Sequence, residues 1–84
     1  MLIAAAGNTE AAAYFVLEGK GFQVQRLVLD GAETWIATRD DQSFRGDGPL
    51  QLLGLVALHE IRGDQWQAGD KEIDRFLSTF NLDS

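Results

Sequence analysis

Cysteine is absent from this 84-residue chain, so no disulfide braces it and no thiolate can hold a metal. That absence fits a reducing compartment, and we expect a cytoplasmic protein. Proline occurs once, at Pro49, and histidine once, at His59. Basic residues are few: seven Lys and Arg stand against thirteen Asp and Glu, a formal net charge of −6. They are scattered singly, so the pattern offers no basic patch for phosphates, and neither nucleic acid nor an anionic membrane surface is an expected partner. Long hydrophobic runs are missing too. The start, MLIAAAGNTE, carries no basic leader, and its apolar run is too short for a signal peptide or a membrane span.

What is present describes a folded domain. Hydrophobic residues make up 45% of the chain, well above the level of a disordered segment. The length suits one small domain over residues 1–84. Domains of this size bury only about 60–65% of their unfolded surface. With neither disulfide nor metal to brace it, self-association is one way to stabilise such a chain.

The pattern of residues predicts an α+β fold: an N-terminal helix, an antiparallel two- or three-stranded meander, and two C-terminal helices packed on one face. NTEAAAYFVLEGKG reads as a helix capped by Asn8 or Thr9 and ended by Gly19 or Gly21. FQVQRLVLD alternates at Phe22 and Val24, the period of a strand. Asp30-Gly31 signals a turn. TWIATRD then sets Trp35 and Ala37 on one face, with Thr34, Ile36 and Thr38 on the other. Asp40-Asp41 turns the chain again into a short strand, QSFRG.

PLQLLGLVALHEIRG is the clearest helix. Pro49 suits its first turn, Asp47 or Gly48 is placed to cap it, and Gly63 to close it in the left-handed conformation. Leu50, Leu53, Gly54, Ala57, Leu58 and Ile61 form an i, i+3, i+4 stripe expected to face the core. Leu52, Leu55 and Val56 lie outside that stripe and need a second cover, either within the chain or from another subunit. Trp66 is expected to fold back onto the core. A final helix, capped by Asp70, presents Ile73, Phe76, Leu77 and Phe80 on one side.

Motifs that suggest chemistry dissolve under their own requirements. His59-Glu60 resembles half of a zinc-protease motif, but Gly63 stands where the second histidine belongs. Arg-Gly-Asp occurs at 45–47 and again at 62–64, where a helix begins and ends and where glycine and a carboxylate serve as punctuation. Residues 2–30 outline the first strand, helix and strand of a dinucleotide-binding fold. However, only Gly7 sits in the turn, and Thr9 and Ala12 replace the other two glycines. Asp40, Asp41 and Asp47 lack the alternating spacing of a calcium loop. No catalytic residue, cofactor or metal is expected.

FRGDGPLQLLGLVALHEIRGDQWQAGDKEIDRFL, with GFQVQ and TWIA upstream, resembles a group of small bacterial proteins of uncharacterised function. The resemblance implies a bacterial, stand-alone domain and carries no functional residues across. The leading functional expectation is a protein–protein contact module that self-associates, as a homodimer through Leu52, Leu55, Val56 and His59. A second is an acidic inhibitor or immunity-type module that masks a basic protein. A third is an enzyme or small-ligand binder, which requires a concave pocket with convergent polar groups.

Overall fold

The computed structural model describes residues 1–82. Its elements are α1 (Thr9–Gly19), β1 (Gln23–Leu29), β2 (Ala32–Arg39), β3 (Gln42–Gly46), α2 (Pro49–Arg62), a 3-10 turn (Gly63–Gln65) and α3 (Asp70–Thr79). The architecture is α+β, with the three strands in one antiparallel sheet of order β1-β2-β3.

Two tight turns build that sheet. Leu29 pairs with Ala32 across Asp30-Gly31, and both turn residues take positive φ, 53° and 79°. This is the backbone twist that two-residue hairpins favour, and Asp-Gly adopts it at low cost. Asp40 turns the second hairpin with φ 55°, joining Arg39 to its partner Gln42. The register then aligns Val24, Ala37 and Phe44 across the three strands, and Gln25, Ile36 and Arg45 beside them. Neighbouring positions point to opposite faces, so the first row meets the helices and the second row faces away.

An odd number of strands returns the chain so that α1 and α2 lie side by side and point the same way. Their first turns meet where the Leu50 N–H donates to Glu10 Oε2 at 3.0 Å, and their ends meet where Lys20 Nζ pairs with Glu60 at 3.1 Å. Of the two residues placed to cap α2, Asp47 and Gly48, it is Gly48 that does so. It has no side-chain oxygen, and α1 supplies the missing acceptor through Glu10. A carboxylate there also offsets the positive end of the α2 dipole. Gln51 Oε1 takes the Asp47 N–H at 2.7 Å.

Leu17, Phe22, Ala37, Leu52 and Val56 form the core, with Val24, Trp35, Phe44 and Leu53 packed around it. This reverses the expected orientation of α2. Leu52 and Val56 are fully buried against the sheet and α1, whereas Leu50, Leu58 and Ile61 face solvent. The helix is apolar on both sides, so periodicity alone selects neither. The two-residue entry Asp47-Gly48 and the Glu10 bond set its rotation.

The segment after α2 departs from a packed domain. Gly63 ends α2 with φ 75° but ψ −156°, outside the left-handed helical region and in one open essentially to glycine. The α3 N-cap is Gly69 rather than Asp70, and Glu72 reaches back to its N–H at 3.2 Å. None of the α3 residues is buried. A 2.6 Å ion pair between Arg62 and Glu72 ties α3 to the end of α2. Residues 1–7 form neither strand nor helix, and Met1, Leu2 and Ile3 are exposed.

The dimensions record this openness. The radius of gyration is 15.2 Å, against about 12 Å for a close-packed chain of this length. The accessible surface is 6719 Å², an excess of about 1,800 Å² over the about 4,900 Å² that a compact 9.2 kDa monomer exposes.

Candidate functional site

A groove of about 790 Å³ runs between β3 and the far flank of α2. Strand alternation brings Phe44 up from the sheet. Helical spacing brings Gln51, Leu55 and His59 down from α2 at i, i+4 and i+8. The turn after α2 closes one end with Asp64 and Trp66. Trp66 is half-buried on the groove wall rather than inserted into the core.

His59 is half-buried there. Its ring meets Phe44 edge-on, with centroids 5.8 Å apart, and its Nε2 lies 3.0 Å from Asp64 Oδ1. Asp64 is almost wholly exposed, so water screens that contact and gives the pair little electrostatic leverage. Glu60, next to His59 in sequence, turns the other way to Lys20. Among the described residues, no three His, Asp or Glu side chains converge as metal ligands do.

The four residues expected at an interface therefore separate. Leu52 and Val56 are sealed inside the chain and unavailable to a partner. Leu55 and His59 remain, together, in the groove wall. Other apolar residues are the exposed ones. Ile73 and Phe76 of α3 and its C-cap residue Phe80 are 43, 56 and 62% exposed and recur at i, i+3 and i+7, one side of a helix. The Phe76 and Phe80 rings meet at a tilt of 54°, with centroids 5.5 Å apart. Ile61, at the end of α2, is 83% exposed. The α3 stripe was readable from spacing alone. Its lack of cover was not, because spacing does not reveal what an apolar face meets.

Polar ties hold α3 at its start. Glu72 accepts from both Arg62 and the Gly69 N–H, and these bonds hold its carboxyl below the ordinary glutamate range. The carboxylate also sits favourably at the helix N-terminus.

A second cleft of about 560 Å³ opens where α1 and α2 begin, over Trp35 of β2. Its walls are aromatic and acidic: Tyr14, Phe15 and Trp35 with Glu10, Glu33 and Asp47. Trp35 Nε1 donates to Glu33 Oε1 at 2.6 Å, and Arg26 pairs with Glu33 Oε2 at 2.8 Å. The Arg26 bond, then the Trp35 bond, hold the Glu33 carboxyl low and ionised.

No helix among the described residues is long and apolar enough to cross a membrane. Compared with protein-family models, with curated proteins and with solved structures, the chain matches none.

Proposed function

We propose that this protein is a self-associating protein–protein contact module in which a second copy covers the apolar face of α3. One observation carries the reading: α3 and its C-cap residue Phe80 present three large apolar side chains on one side, and the helix buries none of its residues. A ten-residue helix gains too little from its own hydrogen bonds to persist alone in water. Helices of this length are held by packing an apolar face, so α3 requires a cover.

The area supports a second copy as that cover. A stable interface buries about 800 Å² on each partner, and the chain exposes about 1,800 Å² beyond what a compact monomer of its mass shows, shared between the unpacked residues 1–8 and the C-terminal segment. The surface on offer is α3, Ile61 and the groove wall at Leu55 and His59. Leu52 and Val56 have no part in it.

Charge predicts how such an assembly behaves. Each copy carries −6, so two copies repel, and added salt screens the repulsion and tightens self-association. A complex with a basic partner weakens with salt instead. Light scattering after gel filtration tests the reading: a species near twice 9.2 kDa, favoured by salt, and reduced to a monomer by Phe76→Glu while the sheet and α2 stay folded. A wild-type monomer throughout the micromolar range refutes it.

A further inference from the structure

The cleft over Trp35 has a composition that self-association does not use. Three aromatic residues and three carboxylates line it, and no lysine or arginine does. Its rings are held at their rims. The Trp35 indole is fixed by its bond to Glu33, and the Tyr14 hydroxyl donates to Glu18 at 3.1 Å. Phe15 meets Tyr14 edge-on at 5.0 Å between centroids.

The charges partly cancel, and what is left is negative. Glu10 faces the α2 N-terminus, which carries roughly half a positive charge. Glu33 is matched by Arg26. Asp47 bonds to Gln51 through its backbone N–H, which leaves its exposed carboxylate as the countercharge without a protein partner among the described residues.

We propose that this cleft binds an organic cation, an alkylammonium or guanidinium group, held against the aromatic rings and neutralised by Asp47. Aromatic faces attract such cations because the ring quadrupole is negative above and below its plane. A carboxylate at the rim adds the charge that a neutral ligand of the same shape does not use. The chemistry is shared by a free quaternary amine and by a lysine or arginine side chain of a basic protein.

Two-dimensional NMR of the full chain tests the inference, with choline, N-acetyl-lysine amide and N-acetyl-arginine amide as probes. The neutral isostere of choline, 3,3-dimethylbutan-1-ol, is the control. The Trp35 indole N–H and the amides of Tyr14, Phe15 and Asp47 are expected to shift saturably with a cation and not with the alcohol. Trp35→Leu is expected to weaken binding roughly tenfold. Asp47→Asn, which keeps the backbone bond to Gln51, is expected to weaken it about fivefold. Should Trp35→Leu fail to fold, Asp47→Asn carries the test alone. Preference for choline supports a free ligand, and preference for the amino-acid amides supports a protein side chain. Equal shifts with the alcohol, shifts centred elsewhere, no saturation below 100 mM, or indifference to Asp47→Asn each overturn the proposal. None of these outcomes depends on the assembly state.

Discussion

Replacing Leu52 by Ala is the sharpest probe of how α2 is turned. Leu52 is fully buried and touches the core built from Leu17, Phe22, Ala37 and Val56. Its truncation removes apolar area and leaves a cavity that the sheet cannot close. The expected loss is about 2–5 kcal/mol. For 84 residues the whole stability is about 4–13 kcal/mol, so this one change removes a large share of it. At about 4–8 °C per kcal/mol, the midpoint falls by at least about 8 °C. Ile61→Ala, at an 83% exposed position, should change stability by no more than about 0.5 kcal/mol. Both are best measured by urea unfolding in the Phe76→Glu background, where association does not add to the apparent stability. The placement is refuted if Ile61→Ala costs as much as Leu52→Ala, because the outward and inward stripes would then be exchanged.

Other perturbations test single contacts. Glu10→Ala removes the acceptor that α1 lends to the start of α2 and is expected to cost about 0.5–2 kcal/mol, with amide exchange at Leu50 accelerated. Gly63→Ala forces a side chain into φ 75°, ψ −156° and is expected to cost about 1–3 kcal/mol, read from the urea midpoint. The Glu72 carboxyl is held low by Arg62 and then by Gly69. Its contribution is therefore complete above the ordinary glutamate range and lost as pH falls through its lowered folded value. Circular dichroism should show α3 helicity declining over that acid window, and Arg62→Ala should move the Glu72 titration, followed by carboxyl NMR, back upward.

Local chemistry made much of the fold legible. Asp30-Gly31 specified a hairpin because its two residues tolerate positive φ. The alternation around Trp35 and Ala37 assigned the faces of β2 correctly, and Pro49 and Gly63 bracketed α2 within a residue. What escaped depends on assembly. The α2 helix carries leucines all round, so its inward side is chosen by a two-residue loop and by a glutamate 40 positions away. The interface expectation failed at Leu52 and Val56 for that reason, and Leu55 and His59 share a groove only because β3 lies beneath them. The aromatic–acidic cleft draws Tyr14, Trp35 and Asp47 from three separate segments, and no linear motif joins them.

Residue-resolved amide exchange at two protein concentrations separates a shared cover over α3 from none, because a short helix covered only by a second copy must lose its protection on dilution. The Ile73–Phe80 amides are expected to exchange slowly at high concentration and nearly freely at low concentration, while those around Leu52 and Val56 are unchanged. Protection of α3 that is the same at both concentrations, in a chain that stays monomeric, rules out a second copy as its cover.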